Sequence, residues 1–140
     1  MAIFVNVSNH SSEKWEKAQK DAAGDVVDVA FPNVPPEATE AEIEALADEV
    51  CKNIVNKRAE VLGWYERQLE DTSYSVEEFA AASRRVLVQG EFSLCNEIWR
   101  RLGAMGFQPV VATSARESVD LGDGKKTVVF KFVKFRRIRV

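Results

Sequence analysis

Apolar and polar positions change period along this chain, and the changes mark its elements. Ile3-Phe4-Val5-Asn6-Val7 is a short β-rich run that ends in the polar cluster Ser8-Asn9-His10-Ser11-Ser12, which reads as a strand and then a loop. Ser11 or Ser12 suits a helix N-cap, with Glu13 in the first turn, where the helix dipole favours a carboxylate. Trp15, Ala18, Ala22 and Ala23 form an apolar stripe on that helix, and Gly24 stops it. Asp25 to Phe31 is a second strand. Pro32, Pro35 and Pro36 forbid its continuation and force an extended loop.

Thr39 opens the most regular helix. Thr39 and Glu42 have the spacing of a capping box, and Ile43, Leu46, Ala47, Val50 and Ile54 recur on one helical face. Val61, Tyr65 and Leu69 extend that stripe across Gly63. Asp71 to Ser75 is loop-like, the stretch 63–75 is the best candidate for a flexible insertion, and Val76 to Ser83 is a short helix. Val86-Leu87-Val88 is a buried strand ending at Gln89-Gly90-Glu91. A helix follows, with Leu94, Ile98, Leu102 and Met105 on one face and Gly103 and Gly106 at its close. Pro109 to Ala112 is the next strand, ending in a loop Thr113-Ser114-Ala115-Arg116. Gly122-Asp123-Gly124 signals a hairpin turn, and Thr127 to Phe135 is a strand buried on at least one face.

The order β-α-β-α-(α)-β-α-β-β predicts a single α/β domain over residues 1–140. Its expected form is Rossmann-like: a mostly parallel sheet, helices on both faces and a C-terminal antiparallel hairpin.

Composition adds limits. At 140 residues and 46% apolar content, the chain can bury a core of its own. No run approaches the roughly 20 apolar residues of a membrane span, and the N-terminus lacks a basic leader region. A cytoplasmic protein with no membrane partner is expected. Cys51 and Cys95 are far apart and form no CxxC pair, and His10 is the one histidine, so neither a metal nor a cofactor is expected. The net charge of −3 hides a split. Residues 1–80 carry 17 acids and 7 bases, and residues 81–140 carry 5 acids and 12 bases. Acidic helices preceding basic strands explain this as well as an anionic ligand on the second part does.

In such a fold ligands bind outside the carboxyl ends of the parallel strands. Three polar segments fall there. Ser11 and Ser12 open a helix whose free N–H groups suit an anion, though Asn9 and Ser11 equally suit a cap and a turn. His10 fits a phosphate or base contact, acid/base work, or an ordinary turn. In Gln89-Gly90-Glu91-Phe92-Ser93, Gly90 permits close backbone approach or serves only a tight turn, and the following helix start again offers donors. Thr113, Ser114 and Arg116 could share a phosphate, with Arg116 giving a bidentate fork, or Arg116 pairs with Glu117 or Asp120. No GxGxxG follows the first strand, no GxxxxGK[ST] or GxSxG occurs, and no signature of duplex nucleic-acid readout is present.

At these segments the chain resembles small stand-alone CRISPR-associated proteins related to the CARF domain and grouped with ring nucleases. The likeness lies in Gln89-Gly90-Glu91-Phe92-Ser93, in Ala112-Thr113-Ser114-Ala115-Arg116, in Phe130-Lys131-Phe132-Val133-Lys134-Phe135-Arg136, and in Asn9-His10-Ser11-Ser12 followed by Trp15. It covers about half the chain and leaves residues 37–80 aside. Ser114 stands where that family often has Thr, and Ser11 where Pro is common. The resemblance implies a homodimer that binds a cyclic oligoadenylate second messenger at strand-end loops. It further implies metal-independent opening of the ring by 2′-OH attack, which leaves a 2′,3′-cyclic phosphate. His10, Ser114 and Arg116 would then be the catalytic candidates. Asn9, Ser11, Ser12, Gln89, Gly90, Glu91, Phe92, Ser93 and Thr113 would line the ligand site.

Overall fold

The computed structural model describes residues 2–68 and 75–140. It has the expected Rossmann-like architecture, built on a five-stranded sheet of order β2-β1-β3-β4-β5. β1 (Ile3–Ser8) lies between β2 (Asp25–Ala30) and β3 (Arg85–Gln89), parallel to both. β3 runs parallel to β4 (Gln108–Gly122), which pairs antiparallel with β5 (Lys125–Arg137).

Strand alternation divides the core between the two faces. Ile3, Val5, Val7, Val86 and Val88 pack against α2 (Glu40–Gln68) and α4 (Phe92–Ala104), through Ala47, Ile54, Leu94, Ile98 and Leu102. Phe4, Leu87 and Val110 face the other way, where Trp15, Ala23 and Phe135 cover them. Each of the Val, Ile, Leu and Phe side chains contributes about 1.5–3 kcal/mol by leaving water. Because β1 and β3 are covered on both faces, they carry continuous apolar runs.

The long helix forms where its stripe predicts. The Glu42 N–H donates to Thr39 Oγ1 at its start, and the helix passes through Gly63 to Gln68. Ile43, Ala47, Val50 and Ile54 are buried. Leu69 and the segment Asp71–Tyr74 lie outside the described residues, so the insertion expected at 63–75 is seen only as helix and as the Ser75 cap of α3 (Val76–Ala82). Met105, expected on the apolar face of α4, lies at its C-cap and is 47% exposed.

Three expectations are corrected. The helix after β1 does not start at Ser11 or Ser12. A short 3-10 turn (Ser12–Lys14) comes first, Trp15 ends it in extended backbone, and α1 (Lys17–Ala23) starts beyond. Trp15 is buried off the helix, while Ala18 and Ala22 are exposed.

The segment Thr113–Arg116 is not a loop. It continues β4, its backbone paired with residues 130–134 of β5. Its small polar residues mark the point where the strand leaves the sheet. β3 pairs with β4 only as far as Val110, and beyond that β4 and β5 form a two-stranded ribbon. Solvated on both faces, that ribbon accepts Ser and Thr as readily as Val. For the same reason Thr127–Phe135 is not a buried strand: Val128, Phe130 and Val133 are exposed.

The ribbon ends in a two-residue turn, with Asp123 at φ 53° and Gly124 at φ 74°, the positive pair a type I′ hairpin needs. At its base the pairing slips. Thr113 faces Lys134 but Ser114 faces Phe132, which leaves Val133 as a bulge. The bulge resets the alternation, so Phe132 and Phe130 face the side that Phe135 occupies. Phe135 packs on Phe4 and Phe132, with ring centroids 4.6 Å and 4.9 Å away.

Candidate functional site

The sheet face that carries Phe4 and Leu87 is covered only part of the way, because α1 spans just seven residues. Past α1 a cleft of about 590 Å³ opens at the carboxyl ends of β1, β3 and the parallel part of β4. Ser8, Gln89, Ala112 and Ser114 form its floor. Lys14, Trp15, Glu16 and Gln19 form one wall, and Phe130 and Phe132 the other.

All three polar segments contribute to this cleft, though unequally. Asn9 and His10, Gln89 and Gly90, and Thr113 and Ser114 line it. Ser11, Ser12, Glu91, Phe92 and Ser93 do not. Arg116 lies on the same ribbon face as Ser114 but one cross-strand pair further out, opposite Phe130. Glu117 pairs with Lys131 instead, at 3.2 Å.

The loop after β1 is shaped from beneath by a buried asparagine. The Asn6 amide donates to the His10 carbonyl and to Asp28 Oδ1, both at 2.9 Å, and its oxygen accepts from Ser8 Oγ. Asn6 and Asp28 are register partners on the parallel strands β1 and β2. The Asp28 carboxylate also accepts from the backbone N–H and hydroxyl of Ser12. That answers the expectation of an anion site at this turn: Asp28 already supplies the anion.

The start of α4 is filled in the same manner. Glu91 is its N-cap, and the carboxylate accepts the N–H groups of Ser93 and Leu94 and the Ser93 hydroxyl. The Ser93 hydroxyl and these backbone donors hold the Glu91 carboxyl below its ordinary range. Phe92 beside it is 86% exposed. Carboxylates already take the Ser12 N–H and the Ser93 and Leu94 N–H groups, so those donors are not open to an anion in the cleft.

Gly90 has a structural reason of its own. A Cβ at this position would stand 2.5 Å from Phe31 Cε1, inside the ring's contact distance. Gln89 fixes the neighbouring strand edge by accepting the Ala112 N–H at 2.8 Å, which leaves its amide NH2 toward the cleft. The Thr113 hydroxyl donates to the Lys134 carbonyl.

Sequence patterns missed Asn6, Lys14, Glu16, Gln19, Asp28, Phe130 and Phe132. For two of these a signal existed: Asn6 is a lone amide in an apolar strand, and Asp28 interrupts Val27 and Val29. Lys14, Glu16 and Gln19 looked like the solvent face of a helix that starts later than its caps imply. Phe130 and Phe132 gain their direction from the bulge, which leaves no mark in the pattern.

Cleft and sheet together define a Rossmann-like α/β protein with an open, polar, aromatic-walled site at the strand ends. The chain belongs to the Uncharacterized protein MJ1673 family, matched over residues 2–136. No curated protein and no solved structure matches it. Among the described residues, no helix is long and apolar enough to cross a membrane.

Proposed function

We propose that this cleft binds a cyclic oligoadenylate, shared between the two protomers of a cytoplasmic homodimer, and opens the ring without a metal. The observation that carries the proposal is the convergence of Asn9-His10, Gln89-Gly90 and Thr113-Ser114, three segments distant in sequence, on one cleft. The chemistry of the lining supports it. Phe130 and Phe132 offer apolar faces to a base. Gln89 can offer its amide to a base edge, and Lys14 and His10 line the cleft and can donate to a phosphate.

Ring opening needs no co-reactant. A ribose 2′-OH attacks the adjacent phosphorus in line, the new 2′-O–P bond forms, and the P–O5′ bond breaks. The 2′ proton passes to a base and the leaving 5′ oxygen takes one up. The products are a 2′,3′-cyclic phosphate and a 5′-hydroxyl. His10 is the acid/base candidate, Ser114 a donor to the phosphoryl oxygen, and Arg116 a phosphate contact at the rim.

A non-catalytic nucleotide sensor is the second reading. It is favoured by the carboxylates of Asp28 and Glu91, which take the donors of the Ser12 turn and of the α4 start that could otherwise stabilise phosphorane charge.

Incubation with cyclic tri-, tetra- and hexa-adenylate in the presence of chelator separates these readings. Linear products ending in a 2′,3′-cyclic phosphate are expected, with His10→Ala abolishing turnover and Arg116→Ala weakening binding by roughly tenfold or more. Binding without turnover would leave the sensor. No binding of any ring would overturn both.

A further inference from the structure

The cleft does not end at its aromatic wall. The face that floors it at Ser114 continues up the ribbon, and the next cross-strand pair on that face is Arg116 opposite Phe130. Phe130 is 66% exposed, a large apolar ring held out in solvent by a strand pair that gains nothing from its exposure. The Arg116 guanidinium makes no hydrogen bond or ion pair among the described residues. No acid shares this face between Ser114 and Ser118, or between Val128 and Phe132. Over residues 113–137 the ribbon carries seven bases against three acids.

A guanidinium beside an exposed aromatic ring is the pairing that holds one nucleotide of a single strand, with the ring stacking the base and the cation meeting the phosphate. Two strand residues span roughly 6.6 Å at ~3.3 Å each, about the reach from one nucleotide to the next in an unstacked strand.

Resting on the nucleotide reading of the cleft, we infer that Arg116 and Phe130 form a second nucleotide subsite continuous with it. The protein therefore holds at least two consecutive nucleotides and retains linear single-stranded oligoadenylate as well as rings. Among the described residues of one protomer the ribbon has no far wall, so the outer end of a bound strand is free. An opened ring would consequently leave slowly, and linear oligoadenylates would compete with cyclic ones.

The test is equilibrium binding of AMP, linear di- and tri-adenylate and cyclic tetra-adenylate to the full chain. It is repeated with Phe130→Ala, Phe130→Trp and Arg116→Gln, with the oligomeric state of each variant measured alongside. Tri-adenylate is expected to bind at least ~10-fold more tightly than AMP, the scale of one base stacked on an aromatic ring. Phe130→Ala and Arg116→Gln should each bring that ratio toward one, and Phe130→Trp should keep it. Equal affinity for AMP and tri-adenylate would overturn the subsite while leaving the cleft intact. So would Phe130→Ala weakening every ligand by the same factor, or converting a dimer to monomers, since either outcome makes Phe130 no more than a wall of the first site or an interface anchor. If no nucleotide binds at all, the cleft reading falls with it.

Discussion

The Glu16 carboxylate accepts the backbone N–H of Phe132 at 2.8 Å, across 116 residues of sequence. It ties the start of α1 to β5 next to the bulge, where the strand's outer edge has no neighbouring strand among the described residues. Glu16 also occupies the N-cap position of α1, but its side chain makes no cap hydrogen bond there. Its acceptor serves the ribbon instead.

Glu16 therefore positions the aromatic wall. Glu16→Ala should raise the amide exchange rate of Phe132 by roughly tenfold and loosen Phe130 with it, because a single exposed hydrogen bond secures that edge. Glu16→Gln keeps an acceptor oxygen and should restore most of the protection. Amide hydrogen exchange across residues 128–136 is the measurement. Equal protection in all three proteins would mean that packing of Phe135 alone holds the ribbon.

Asn6 is the concealed support of the cleft. It is 1% exposed and bonded to the His10 carbonyl, Asp28 and Ser8. Removing it strands partners in a part-buried site, so Asn6→Ala should cost about 1–3 kcal/mol in denaturant unfolding. Asp28→Ala should couple to it, with a double-mutant interaction energy of at least ~0.5 kcal/mol. Strict additivity of the two losses would disprove the network. Both variants should also shift the backbone resonances of residues 8–12.

Gly90 is required by Phe31, whatever ligand the cleft holds. Gly90→Ala should destabilise the protein by about 1–3 kcal/mol through overpacking against that ring. Adding Phe31→Leu should recover part of the loss by opening space. A Gly90→Ala protein of unchanged stability, or a double variant worse than the sum, would show that the ring is not the obstacle.

The fold was legible because its signals are local. The Ile43–Ile54 stripe, the buried β1 and β3 runs and the Asp123-Gly124 turn each follow from spacing a few residues long. The cleft was legible in part, since strand ends in a parallel sheet converge, with Gln89 and His10 at such ends and Ser114 just past the parallel part of β4. What stayed hidden depends on partners distant in the chain. Nothing near Ser12 announces that Asp28 fills its turn. A cap at Glu91 that bonds its own helix start has the same composition as one that leaves the start free. The Val133 bulge turns Phe130 and Phe132 toward the cleft, yet strict alternation from Phe135 would have sent them away.

The Glu91 cap makes acid a selective probe of α4. Its carboxyl is held below the ordinary glutamate range by the Ser93 hydroxyl and by the N–H groups of Leu94 and Ser93. A group whose folded value is depressed contributes stability above its unfolded value and loses it as pH falls through the folded one. The contribution should therefore be complete above the ordinary value near ~4.3 and fade as the pH drops further. Glu91→Gln keeps an acceptor but not the charge, so it should lower the Tm by a few degrees at neutral pH, with the gap closing at lower pH. Thermal unfolding of both proteins from neutral pH down through the acid range measures this. A gap that stays constant, or widens, as the pH falls would show that the carboxylate's charge has no part in holding the helix start.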